Sequence, residues 1–180
     1  MAAKKYLELN TSTGRPTQRQ ATDTSAGAGN SGDLVALDSS GKLDSSMMPA
    51  GIGGATISAP ASENLAAGDL VNFHDVSGTK KVRKANATDA TKPAQGFVLS
   101  SVTSGNTATV YTDGQNTAVD VGSFVAADVG KRVFLSAGTA GAVTLTPPVT
   151  SGNLVQCVGD VVDVGSAVTI DFRDGEQIVA

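Results

Sequence analysis

The chain has 180 residues with 17% charged, and its aromatic content is five Phe, two Tyr and no Trp. Gly, Ala, Ser, Thr and Val dominate, which is the composition of a turn-rich β protein rather than of a helical enzyme or an acidic disordered tail. That length gives room for one ordinary domain plus a tail. A formal charge of −4 provides no long-range attraction for phosphate backbones or anionic lipid, so neither nucleic acid nor a membrane is an expected partner.

The first residues, Met1-Ala-Ala-Lys-Lys-Tyr-Leu-Glu-Leu9, hold no apolar run of signal-peptide length, and nowhere do about 18 apolar residues follow one another. Synthesis in the cytoplasm is the expectation. The matches to a glycosylation acceptor at Asn10-Thr-Ser and Asn86-Ala-Thr carry no meaning without secretion.

Residues 10–32 are nearly all Thr, Ser, Gly, Ala, Asn, Gln and Asp, with Arg15, Pro16 and Arg19 among them and no apolar period. Such a stretch cannot bury enough surface to fold alone. From Asp33 the phrase Leu34-Val-Ala-Leu37-Asp-Ser-Ser-Gly41-Lys-Leu43-Asp-Ser-Ser-Met47-Met48-Pro49 alternates short apolar groups with turn residues. It reads as an adhesive segment that folds against a partner surface or its own β domain. Residues 1–58 are therefore expected to form an extended N-terminal arm with little regular structure, with Gly51-Ile-Gly-Gly54 as a flexible hinge. These glycines lack the preceding strand and following helix of a dinucleotide fold.

Residues 59–180 read as a compact all-β domain, a small sandwich or barrel, with strands at about 69–74, 80–86, 95–103, 107–112, 131–136, 141–146, 153–163 and 166–172. Gly105-Asn106, Asp113-Gly114 and Gly138-Thr-Ala-Gly141 are hairpin signals. Asn153 to Val164 is more continuously apolar than the alternating run Thr107 to Thr112, as a central strand is. Helix is confined to a turn or two at Ser62-Glu-Asn-Leu-Ala-Ala67 and Ser123-Phe-Val-Ala-Ala127. A faint echo recurs at a period of about 60 residues. Gly68-Asp-Leu-Val-Asn-Phe73 matches Gly130-Lys-Arg-Val-Phe-Leu135, Ala94-Gln-Gly96-Phe-Val-Leu99 matches Cys157-Val-Gly159-Asp-Val-Val162, and Asn106-Thr-Ala-Thr-Val-Tyr111 matches Ala167-Val-Thr-Ile-Asp171. The echo suggests two pseudo-repeated halves fused into one core, although any two glycine-punctuated β sequences share such features.

Catalysis needs a proton shuttle, an activated nucleophile, a metal or a cofactor cradle. His74 reads as a polar strand-end residue. The single Cys157 excludes an intrachain disulfide and any zinc-type cluster, and reads as a small buried hydrophobe. Asp171-Phe-Arg-Asp174-Gly-Glu176 lacks the ligand spacing of a calcium loop and reads as a hairpin end. No catalytic residue, cofactor site or metal site is assigned, and the chain is not expected to be an enzyme. Its one local charge feature is Lys80-Lys81-Val82-Arg83-Lys84. On a strand, Lys80 and Lys84 share a face with Val82 while Lys81 and Arg83 point away, which suits either a docking patch or an edge strand guarded by lysines.

The order Ala67-Gly68-Asp-Leu-Val71, Val82-Arg-Lys84-Ala-Asn-Ala87, Ala94-Gln-Gly96-Phe-Val-Leu99 and Asp113-Gly114, continued by Val129-Gly-Lys-Arg-Val-Phe-Leu135 and Val155-Gln-Cys-Val-Gly159, resembles small β modules of tailed-bacteriophage capsid decoration (cement) and head-fibre proteins. The likeness covers roughly residues 60–180, and the phrase from Leu34 to Pro49 is similar to connector phrases of phage head and tail-fibre proteins. The resemblance implies a virion structural protein on the outer capsid surface, made in the host bacterial cytoplasm, homo-oligomeric with a trimer favoured, whose partner is the major capsid protein. The expected contact residues are Arg15, Arg19, Leu34, Val35, Leu37, Leu43, Met47 and Met48 of the arm, with Lys80, Lys81, Arg83 and Lys84 of the basic strand. The competing expectation is a tail-fibre, baseplate or head-fibre attachment protein. A sugar-binding tip or a polysaccharide-cleaving enzyme fits poorly with so few aromatic rings and no paired carboxylate cleft.

Overall fold

The computed structural model describes residues 4–37, 41–44, 47–48 and 55–180. The chain divides into two units, Met1–Gly53 and Gly54–Ala180. The hinge expected at Gly51–Gly54 lies outside the described residues.

The first unit has more regular structure than its composition suggested. Strands β1 (Lys5–Asn10) and β2 (Arg15–Gln20) pair antiparallel, from Lys5 opposite Gln20 to Asn10 opposite Arg15. Alternation in Lys5-Tyr-Leu-Glu-Leu-Asn10 sets the two faces. The turn is fixed by Asn10, whose side-chain oxygen accepts the N–H groups of Ser12 and Thr13 at 3.0 and 3.1 Å. After β2 the chain makes one 3-10 turn, Gly27–Asn30. It then runs back so that Thr22 bridges Val35 in parallel.

The second unit is all-β and holds two sheets. The first is five-stranded in the order β3-β7-β6-β4-β5, where β3 is Thr56–Pro60, β4 Leu70–Val76, β5 Thr79–Lys84, β6 Gly96–Phe97 and β7 Thr107–Tyr111. The second is six-stranded in the order β10-β9-β11-β12-β8, with β13 added to β11. Here β8 is Gly114–Val119, β9 Arg132–Leu135, β10 Val143–Thr144, β11 Leu154–Val164, β12 Val168–Phe172 and β13 Gln177–Val179. The central-strand expectation for residues 153–163 is met by β11. Residues 56–58, expected in the arm, belong with Ala59 and Pro60 to an integral strand of the first sheet, because each residue of Thr56–Pro60 pairs with β7.

The sequence echo is a topological repeat. Read from the other end, the second sheet runs β8-β12-β11-β9-β10, the order of the first sheet five strands later. The ladders agree residue for residue: Val71 opposes Gly96 as Val133 opposes Gly159. Both glycines are fixed by close approach. A Cβ on Gly96 would sit 2.6 Å from the Tyr111 carbonyl oxygen, and one on Gly159 would sit 2.1 Å from that of Asp171. Only a bare Cα lets β6 and β11 press so near β7 and β12.

In the first module Ala61, just past β3, bridges Val82 of β5 in parallel, so the two sheet edges meet and the sheet curls into a small barrel. Its interior is Val71, Val82, Val98, Ala108 and Val110 with neighbouring alanines and Leu65. A larger core joins both sheets, with Leu70, Phe97, Leu135, Ile170 and Phe172 among its buried members. Phe97 lies edge-on to Phe172 at 5.5 Å and stacks on Tyr111 at 5.4 Å.

Three local expectations change. Asp113-Gly114 is no hairpin turn, because β7 and β8 belong to different sheets and the dipeptide is a crossover. Gly105-Asn106 instead pins the end of β3 through Gly105 N–H to Ala61 O and Ala61 N–H to Asn106 O, both 2.8 Å. Residues 62–67 form no helical turn; Leu65 bridges Val102. A 3-10 turn does form at Ala126–Asp128, and Gly138–Gly141 does connect the β9–β10 hairpin.

Candidate interaction surfaces

In the arm, Asp33 gathers the segment after β2. Its carboxylate accepts hydrogen bonds from the Thr22 hydroxyl and the Asn30 amide, both at 3.0 Å, and lies 3.6 Å from the Arg19 guanidinium. The Asn30 and Thr22 hydrogen bonds hold the Asp33 carboxyl below its ordinary range. Arg19 also binds Glu8 at 3.0 Å across the hairpin, so it is committed within the arm. Arg15 is exposed, and its side chain makes no hydrogen bond or ion pair among the described residues.

These bonds carry Leu34, Val35 and Leu37 out at the surface, 54%, 58% and 49% exposed. Leu43 and Met48 are also exposed, whereas Met47 is half-buried and lines a shallow cavity of about 150 Å³ with Thr22, Asn30, Asp33 and Val35. Five of the six apolar arm residues expected at a contact are thus exposed. Leu7 and Leu9 of β1, which the sequence reading did not single out, are more exposed still, at 73% and 64%. Their signal was the alternation of the first strand.

The basic strand is less uniform than its sequence. Lys80 Nζ sits 5.2 Å from the centre of the Phe73 ring, and Lys84 Nζ is 2.9 Å from Asp69. Arg83 donates to the Asn72 side-chain oxygen and to the Thr91 carbonyl, both at 3.0 Å. Lys81, paired with His74 through the ladder, is the one of the four whose side chain makes no hydrogen bond, ion pair or ring contact among the described residues. Val82 is fully buried in the barrel interior, so the face it shares with Lys80 and Lys84 is the inner one, and the lysine heads reach its rim.

Of the residues weighed for chemistry, His74 opposes Lys81, and its Nδ1 is buried without a partner. Burial, then Arg83 and Lys81, lowers its pKa against the weaker pull of Glu63 and Asp75. Cys157 is half-buried, its Sγ 3.9 Å from the Gly159 carbonyl oxygen. Asp160 and Asp171 stand directly opposite each other with Arg173 between them, at 3.5 and 2.7 Å. No group of three or more His, Cys, Asp or Glu side chains is arranged to hold a metal among the described residues. A cleft of about 360 Å³ opens where the Ala66–Asp69 turn, residues 119–124 and the β9–β10 turn converge. Its Lys84–Asp69 pair is closed on itself.

Gln156 is a fully buried polar group that joins the two modules. Its side-chain oxygen accepts the Ala94 N–H at 2.8 Å, and its amide donates to Ala94 O at 2.7 Å and to Asp174 at 3.0 Å. The sequence signal was a Gln interrupting the apolar run of β11.

No protein-family model and no curated protein matches the chain. Among solved structures, the head fiber gp8.5 N base of bacteriophage phi29 is similar, with TM-score 0.47 and 13% identity over 68% of this chain and 96% of that one.

Proposed function

We propose that this chain is a structural subunit of a phage particle that decorates and stabilises the capsid by bridging major capsid subunits, and that it catalyses nothing. The observation carrying the reading is the division of labour between the units. The β domain packs its buried apolar residues into two cores and leaves single apolar side chains such as Val149, Ile178 and Val179 exposed. The arm holds Leu34, Val35 and Leu37 outward on a scaffold of its own hydrogen bonds. Short apolar groups presented that way add contact area on a partner without needing a pocket, and many copies on one lattice multiply a weak contact into a strong one. The resemblance of residues 60–180 and of the connector phrase to phage head proteins supplies the partner.

The test is the copy number in purified particles, counted by quantitative mass spectrometry against the major capsid protein. A ratio near one to one, or one trimer per threefold position, is the expected result. A handful of copies would move the protein to a head fibre, tail fibre or baseplate. Absence from the particle would overturn the structural assignment altogether.

A further inference from the structure

The β1–β2 hairpin sorts its residues by face. One face carries Leu7 and Leu9 with Pro16, Gln18 and Gln20 opposite, and Lys5 at its end. The other carries Tyr6, Glu8, Arg15 and Arg19. Arg19 ties this second face to Glu8 and to the arm's own Asp33. The apolar face has no such tie, and its one cation, Lys5, leans on Gln18 at 3.4 Å.

We infer that the Leu7/Leu9 face packs against the same face of a second copy of this chain. A lone two-stranded hairpin is marginal in water and needs a covered face. The face suits a copy of itself. It is apolar at its centre, its one cation Lys5 sits at one end, and the Gln18 and Gln20 amides both donate and accept, so antiparallel face-to-face packing keeps the two Lys5 side chains at opposite ends. Edge-to-edge addition at β2 is disfavoured because Pro16 offers no N–H to a further strand. Six residue pairs span roughly 20 by 10 Å, so two copies bury on the order of 600 Å² together. That is below the ~1,200 Å² of a stable standalone interface. The contact is therefore weak between free chains and acts when copies are already held close, linking one cluster to the next.

The inference does not rest on the virion reading, and its test uses the full chain free of any particle. With Cys157→Ser removing the native thiol, Leu7→Cys is placed on the apolar face and, separately, Thr17→Cys on the opposite face. Each variant is oxidised mildly at high protein concentration, and the interchain dimer is read on a non-reducing gel. Trapping several-fold faster at position 7 than at position 17 is expected, reduced by adding Leu9→Ser. Equal trapping at both positions, faster trapping at 17, or no dimer from either variant overturns the proposal; the last result means that something other than a second copy covers the face.

Discussion

Gln156 offers the sharpest test of how the two modules are held together. Its carboxamide gives Ala94 both hydrogen bonds that a neighbouring strand would give, and Ala94 is itself fully buried. Gln156→Leu keeps the approximate volume but leaves the Ala94 N–H and C=O without partners in a dry interior. Each orphaned group costs about 1 to 3 kcal/mol, so the variant is expected to lose on the order of 3 kcal/mol after the apolar side chain recovers part of the loss. For a domain of this size that is a fall of roughly 10 °C in melting temperature. Gln156→Glu separates hydrogen bonding from packing. A carboxyl here faces a carbonyl and the Asp174 carboxylate in place of an amide donor, and burial raises its folded-state pKa above the unfolded value. The variant should therefore be least perturbed in acid, where the carboxyl is neutral, and lose stability as pH rises through the unfolded carboxylate range. Denaturant unfolding from pH 3 to 8 reads both variants. Gln156→Leu within about 1 kcal/mol of wild type, or Gln156→Glu with a pH profile parallel to wild type, would refute the structural role.

Other expectations concern charge and close approach. His74 is held neutral by burial and the nearby Arg83 and Lys81, so its folded pKa lies below the ordinary histidine value. Its contribution is present above that value and lost as pH falls through the folded pKa; His74→Phe should flatten the stability profile between about pH 7 and 5. Asp89 is lowered to about 2, first by the Thr91 hydroxyl, then by the Thr91 N–H and Lys92. Carboxyl-carbon NMR should show it ionised well below pH 4, and Thr91→Val should move its midpoint up. Arg173→Met leaves Asp160 and Asp171 opposed without their shared cation, so stability should drop at low salt and recover as salt is added. Gly96→Val meets the Tyr111 carbonyl and the Val110 side chain. It should cost at least about 3 kcal/mol or abolish folding, whereas Gly105→Ala, where the added carbon meets open space, should cost only the strain of its positive φ.

Much of the β domain was legible because its period-two runs are long and its breaks are glycines: β4, β5, β7, β9, β11 and β12 all lie within a few residues of their expected positions. What escaped depended on distant partners. Residues 114–119, Gly-Gln-Asn-Thr-Ala-Val, read as a turn and its sequel, yet Asn116 is fully buried and donates to the Gly68 carbonyl at 2.9 Å, a bond that no local pattern shows. Asp113-Gly114 looks like a hairpin turn because dipeptide preference is local, while the pairing of the flanking strands is decided across the sandwich. The arm hairpin was hidden by composition: its two leucines face outward, so the alternation marks a strand without marking a core. The basic run looked like one patch since sequence shows neighbours in the chain. In space, Phe73, Asp69, Asn72 and Thr91 each engage one of its cations.

The repeat also sets an apolar row of one module against a charged row of the other. Leu70, Phe97 and Tyr111 lie side by side across β4, β6 and β7, and the equivalent row across β9, β11 and β12 is Arg132, Asp160 and Asp171. In the first module the row is apolar because the second module covers it, with Phe172 against Phe97. In the second module the same positions carry charge, with the Asp160 and Asp171 side chains 35% and 39% exposed and Arg173 joining them. Stacked modules need a polar outer face at the end of the array, or the stacking continues from chain to chain without closing. The opposed carboxylates, unfavourable as a strand pair in isolation, make sense as a solvent-facing row bridged by Arg173.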